Sequence, residues 1–240
     1  MSNQGKIFKS IVKGVGASLP KEIVTNKDLT KRVDTSEEWI EERTGIKERR
    51  IASKDETTTS LGAEAAQIAI NNSGLKNSDI DLIILATSTP DNTFPASATE
   101  IQSLLGIQKG YAYDMQAVCS GFVFAIEAAD NSIKAGNAKN AIVIGSETFS
   151  RIIDWSDRGT CVLFGDGAGA IVLSSSEEKS DRGVLSNHLH SEGRYKDLLY
   201  VDGGPSTTSQ VGFLRMDGKG VFKHAVNNLS SAIIEAIEYN

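Results

Sequence analysis

The sequence predicts an α/β fold built on a layered, largely parallel sheet, and three observations carry that prediction. Short, near-continuous apolar runs closed by small or turn-forming residues recur along residues 7–175. Between several of them lie segments whose apolar residues repeat at helical spacing. Apolar strands that alternate with helices are buried on both faces, as in a sheet covered by helices.

Strands are expected at 7–17 (IFKSIVKGVGA), 81–89 (DLIILATST), 110–118 (GYAYDMQAV), 140–147 (NAIVIGSE), 160–166 (TCVLFGD) and 169–175 (GAIVLSS). The helix at 60–74 places Leu61, Ala65, Ile68 and Ala69 on one face and closes on Gly74. A second helix spans 97–106, with Ser97 as its cap and Glu100 three residues on; a third spans 120–136 and also ends in glycine. Residues 174–183 (SSSEEKSDRG) form a polar hinge, 184–193 a strand, and the Gly, Asp and Ser-rich stretch to about 217 a loop. An amphipathic helix follows, with Phe222, Val226, Leu229, Ile233 and Ile237 along one stripe. The chain thus divides into residues 1–175 and a second α/β unit that opens at 176–240.

With 40% hydrophobic and 23% charged residues in 240, the composition is that of a globular protein able to bury a sizeable core. A net charge of −6 counts against nucleic-acid binding, and no run of like charges forms a polybasic anchor. Lys6, Lys9 and Lys13 interrupt the N-terminal apolar residues, so neither a signal peptide nor a membrane span is expected. The two cysteines, Cys119 and Cys161, form no C-x-x-C or metal-ligand cluster. A reducing cytoplasm, where a free thiol persists, is the expected location.

Cys119 is the first residue with chemical promise. It follows a strand and precedes Gly121, whose missing side chain permits a sharp turn and close approach of another group. The unpaired N–H groups and dipole of a helix N-terminus favour an anion there, which suits a thiolate nucleophile. From position alone a buried structural cysteine is an equal reading. The histidines supply no obvious base: His224 adjoins Lys223, while His188 and His190 alternate on one face of the expected strand, as a metal pair or as a surface strand.

FGDGAGAIVL, residues 164–173, lacks the lysine of a phosphate loop and is followed by a strand, so its glycines are assigned to a tight turn between strands. DTSEEWIEERTGIKERR, residues 34–50, reads as a short helix capped by Ser36, with Glu37 and Glu38 in its first turn. Trp39 and Arg43 lie four apart on one face. They suit either stacking on a base or a half-buried tryptophan covered by an arginine stem.

Together, DTSEEWIEERTGIKER, ATSTPDNTFPASA, DMQAVCSGF, SDRGTCVLFGDGAGA and VFK resemble the β-ketoacyl-acyl-carrier-protein synthase III family of the thiolase-like superfamily, in the family's order and spacing. The resemblance is dense from Lys6 to about Leu173 and resumes at 216–226. It implies a thiolase-like fold, α-β-α-β-α in layers, with a complete first half, a partial second half, and a homodimer formed through the first. It also implies that Cys119 takes an acetyl or other short acyl group from coenzyme A, and that the acyl-enzyme then condenses with malonyl-acyl carrier protein, releasing carbon dioxide. Coenzyme A is a substrate; no resident cofactor or metal is implied.

Residue by residue, the resemblance sets Thr35, Trp39 and Arg43 against the coenzyme A nucleotide, with Trp39 stacking on adenine. Arg158 and Gly159 would help close that site, and Phe222 would line the pantetheine tunnel. Phe94 would contribute to the acyl pocket across the dimer interface. Lys223 would lie among basic residues that attract the carrier protein.

In the family a histidine and an asparagine C-terminal to VFK, and a glycine-rich strand beyond them, stabilise the enolate of the condensation step. The sequence ends at Asn240 before those motifs, so this polypeptide alone is expected not to condense. Two other readings are a non-catalytic scaffold or heterodimer partner, and a synthase of another thiolase-like branch.

Overall fold

The computed structural model describes residues 9–177 and 182–240. In chain order the elements are β1 (Lys9–Ser18), β2 (Glu22–Thr25), α1 (Asn26–Leu29), α2 (Glu37–Thr44), β3 (Glu48–Ile51), α3 (Thr58–Ser73), β4 (Leu82–Ala86) and α4 (Ser97–Leu104). They continue with β5 (Tyr111–Met115), α5 (Gly121–Lys134), β6 (Asn140–Glu147), α6 (Arg158–Cys161), β7 (Gly167–Ser176), β8 (Leu199–Gly204), β9 (Gln210–Met216) and α7 (Gly218–Tyr239). Part of the polar hinge expected at 174–183, and the first residues of the strand expected at 7–17, lie outside the described residues.

These elements form two compact units. One comprises the described residues of Met1–Pro20, Ala52–Thr148 and Gly167–Asn187; the other comprises Lys21–Ile51, Phe149–Asp166 and His188–Asn240.

The first unit is a three-layer sandwich. Its five-stranded sheet has the order β1-β7-β6-β4-β5, with β5, β4 and β6 parallel and β7 antiparallel to both β6 and β1. The sheet is therefore mixed, not largely parallel: β7 returns beside β6 in the opposite sense, which needs no crossover helix. Strand β4 shows why its sequence is apolar throughout. Ile83 and Leu85 pack with α3 and α4 on one face, while Leu82, Ile84 and Ala86 pack with α5 on the other.

Helix α3 lies close against β1. A Cβ on Gly16 would stand 2.2 Å from the Ala65 carbonyl oxygen, so only glycine fits there. Thr57 caps α3 through the Ser60 amide, and Gly74 ends it at φ 74°.

Helix α4 departs from expectation at its start. Ser97 is inside the helix rather than capping it, and its Oγ accepts from the Asp91 amide at 3.2 Å. The cap comes from β5: the Asp114 carboxylate accepts from the amides of Ser97 and Ala98, both at 2.8 Å. A carboxylate from a neighbouring strand is invisible to a local capping pattern.

The second unit holds its own core, with Val24, Leu29, Ile40, Ile153, Cys161, Val162 and Leu214 buried together. The antiparallel pair β2–β3 is tied to the end of α6 by Arg49, a buried guanidinium that donates to the carbonyls of Val24 (3.1 Å) and Val162 (3.3 Å) and to Asn26 Oδ1 (2.8 Å).

Four expectations fail among the described residues. The strand expected at 160–166 is replaced by α6 and a turn, because Asp157 accepts from the Gly159 amide at 2.8 Å and starts a helix. The glycines of GDGAGA therefore make no tight turn between strands; Gly167 and Gly169 belong to β7 itself. The loop expected up to 217 contains the antiparallel hairpin β8–β9, pinned by Arg215 Nε donating to Asp202 at 2.6 Å. Residues 184–192 form no strand. His188 and His190 both meet the Glu235 carboxylate, at 3.0 and 2.7 Å, and hold it below its ordinary pKa.

Candidate active site

Three parallel strands deliver their carboxyl ends to one edge of the first unit, where α/β proteins place ligands. Strand β5 leads to Cys119, β4 to the segment beginning at Thr87, and β6 ends at Glu147. The Thr87 amide donates to the Met115 carbonyl at 3.1 Å, so β4 and β5 stay paired to their last residues.

Cys119 is exposed, in a single 3₁₀ turn (Val118–Ser120) that runs into α5. The sharp turn expected from Gly121 is made elsewhere: Gly121 has an ordinary helical φ of −52°, whereas Val118 sits at φ 48°. A β-branched residue in the left-handed region is strained, and such strain persists only where the surroundings enforce it. Gly121 serves the other expected purpose, since a Cβ there would approach the Ala86 Cβ to 3.2 Å. Glycine lets α5 start close against β4. Ser120 makes no side-chain cap hydrogen bond at the start of α5.

Cys161 is the contrasting thiol. It is buried, and desolvation, with Asp157 adding to it, raises its pKa against the pull of Arg49. That is the environment of an inert structural cysteine.

Glu147 is the residue that sequence reading missed. Its Oε1 accepts from the Ser88 amide at 2.7 Å and its Oε2 from the Thr89 hydroxyl at 2.5 Å. Burial pushes its pKa up, while the hydrogen bonds from Thr89 and Ser88 pull it down. The available signal was a carboxylate closing an otherwise apolar strand, NAIVIGSE. Phe94, in the loop that follows Thr89, is 83% exposed.

The second unit assembles the aromatic and basic residues. Ser36 caps α2 through the Trp39 amide at 3.1 Å, as expected, and the half-buried Trp39 ring has the Arg43 guanidinium 4.9 Å from its centroid. Arg158 stands at the same 4.9 Å, and donates to the Asp34 carbonyl at 3.0 Å. Between these anchors the Thr35 hydroxyl oxygen is buried with no hydrogen-bond partner. Gly159 follows Arg158 in α6, exposed. Phe222 and Lys223 lie on α7, both exposed, with Phe222 at 72%. The rest of the expected apolar stripe, Val226, Leu229, Ile233 and Ile237, is exposed as well.

The cleft of about 540 Å³ lined by Lys13, Asp81, Lys109 and Lys139 lies at the amino ends of β4, β5 and β6, away from Cys119. Among the described residues, no group of three or more His, Cys, Asp or Glu side chains is arranged to hold a metal ion, and no helix is long and apolar enough to cross a membrane.

A family model for 3-oxoacyl-[acyl-carrier-protein] synthase III matches residues 113–193. The chain is 60% identical over 235 residues to a β-ketoacyl-[acyl-carrier-protein] synthase III of Rhodospirillum centenum, covering 97% of this chain and 73% of that protein. Among solved structures, the 3-oxoacyl-[acyl-carrier-protein] synthase III of Aquifex aeolicus matches with a TM-score of 0.83 and 48% identity, over 89% of this chain and 66% of that one. The Pseudomonas aeruginosa 3-oxoacyl-(acyl carrier protein) synthase III matches with a TM-score of 0.89 and 35% identity, over 96% and 70%. The fold is thus the thiolase-like α/β fold of these enzymes. With this degree of identity over nearly the whole chain, the chain belongs to the β-ketoacyl-acyl-carrier-protein synthase III family of condensing acyltransferases.

Proposed function

We propose that this protein starts type II fatty acid synthesis, with Cys119 as the nucleophile that accepts a short acyl group from coenzyme A. The observation that carries the reading is the exposed Cys119 thiol in a strained turn at the carboxyl ends of parallel strands and the start of α5. The thiolate Sγ attacks the thioester carbonyl, the carbon–sulfur bond to coenzyme A breaks, and the coenzyme A thiolate leaves. Exchange of one thioester for another is nearly balanced, so the same cysteine serves as attacker and as leaving group. In the second half-reaction malonyl-acyl carrier protein loses carbon dioxide, its carbanion attacks the acyl carbonyl, and Cys119 departs to give 3-oxoacyl-acyl carrier protein.

Trp39, Arg43 and Arg158 are assigned to the nucleotide of coenzyme A. Their support is a flat ring already flanked by two guanidiniums and the unsatisfied hydroxyl of Thr35, which a ligand would pair. Gly159 leaves the approach beside Arg158 without a side chain. Phe222 is assigned to the pantetheine arm, Phe94 to the acyl pocket of a homodimer and Lys223 to the acidic carrier protein; the exposure of all three fits those roles. Residues 1–175 are assigned to the first thiolase-like half and 176–240 to the opening of the second. Acetyl-coenzyme A is the proposed donor, the cytoplasm the proposed location, and no resident cofactor is assigned.

We assign the acyl-transfer half-reaction to Cys119. His188 and His190 are engaged by Glu235 and His224 packs on Tyr195 at 3.9 Å, so none is assigned to the enolate.

Intact-mass measurement after incubation with acetyl-coenzyme A tests the reading. A gain of about 42 Da that disappears in Cys119→Ala is expected for a thioester on that residue. No gain in a folded sample favours the scaffold reading instead.

A further inference from the structure

We infer that Glu147 is a positioning residue for acyl-chain selection: its carboxylate clamps the foot of the loop that carries Phe94. The inference rests on the assignment of Phe94 to the acyl pocket made above.

The loop between β4 and α4 is held firmly at both feet and projects in between. At the first foot, Glu147 takes the Ser88 amide and the Thr89 hydroxyl. Thr89 Oγ1 in turn accepts from the Thr148 amide at 3.0 Å, and the Thr58 hydroxyl donates to the Thr89 carbonyl at 2.7 Å. At the second foot, Asp91 accepts from the Thr59 amide at 3.1 Å, its own amide donates to Ser97 Oγ, and Asp114 holds the amides of Ser97 and Ala98. Residues 91–95 between these anchors are exposed.

A stiff loop with an apolar tip is what a size-selective wall requires. Without fixed feet, Phe94 would yield to a longer chain at little cost, and discrimination by one or two methylenes is already weak in an apolar pocket. Glu147 binds two successive residues of the loop through both of its oxygens, in a partly buried setting where charge-assisted hydrogen bonds are strong.

The experiment compares wild type, Glu147→Ala and Glu147→Gln of this chain, with Cys119→Ser as blank. It reads the rate of thioester formation from acetyl- and octanoyl-coenzyme A by intact mass, and amide hydrogen exchange of peptides covering 87–97 and 58–73. In Glu147→Ala the octanoyl-to-acetyl rate ratio is expected to rise about tenfold and exchange at 87–91 to speed up by a similar factor, matching the loss of hydrogen bonds to a charged group. Exchange across 58–73 stays unchanged. Glu147→Gln, which keeps one carbonyl oxygen for the Ser88 amide, restores most of both. Faster exchange with an unchanged rate ratio shows a merely structural role and overturns the inference while leaving Cys119 as nucleophile. Unchanged exchange removes the clamp itself. Absence of a thioester in wild type removes the nucleophile assignment and the inference with it.

Discussion

The Arg158 guanidinium stands 4.9 Å from the centroid of the Trp39 ring, and the Asp34 carbonyl fixes it there by accepting from Nη1 at 3.0 Å. Arg43 lies at an equal distance from the same ring. One contact was foreseeable because Trp39 and Arg43 are four residues apart on a helix; the other joins α2 to α6 across more than a hundred residues. The half-buried indole is thus flanked by two guanidiniums.

Trp39→Ala is therefore expected to weaken coenzyme A binding by about tenfold or more, since stacking on a base contributes ~1–3 kcal/mol. Arg158→Ala is expected to weaken it also, with the loss growing smaller as salt is raised. Calorimetric titration with coenzyme A at two ionic strengths checks both. Unaltered affinity in both variants would sink the assignment of this cluster.

Asp114→Ala removes the carboxylate that caps α4, leaving the amides of Ser97 and Ala98 without the acceptor they have in the native structure. The expected cost is ~1–2 kcal/mol of unfolding free energy, measured by urea titration. Asp114→Asn, which retains one oxygen, is expected to fall between.

Glu147 gives a pH dependence whose sign follows from its raised pKa. The folded state holds this proton more tightly than the unfolded chain, so stability falls as pH rises through the interval between them. Its contribution is fully present below the ordinary glutamate value of 4.5 and is lost as pH rises through the higher folded value. Urea titrations of wild type and Glu147→Gln between pH 4 and pH 8, about the range in which buried carboxylates titrate, are expected to show wild type losing stability relative to the variant as pH increases. A constant difference would mean that burial does not perturb this carboxylate.

The strands β4, β6 and β7 were legible because each is an apolar run long enough to be buried on both sides. Helices α3 and α5 were legible from spacing and terminal glycines. The segment 160–166 misled because a short apolar run has no period of its own, and the Asp157 cap that decides for helix is a single side chain. The hairpin β8–β9 was hidden by its Gly, Ser and Thr residues, which read as loop although Leu214 is buried and Arg215 binds Asp202 across the pair.

By itself, the sequence determined the layered α/β class, the position of Cys119 between a strand and a helix, and the family, because apolar periodicity and ordered motifs are local properties of the chain. Tertiary structure alone decided that Val118 rather than Gly121 bears the turn, that Asp114 caps α4, that Arg158 joins Trp39, and that Glu147 holds the loop before Phe94. Each of these depends on groups from separate strands or helices meeting within hydrogen-bond or ring-contact distance. Such meetings are set by strand order and packing, which no local pattern encodes.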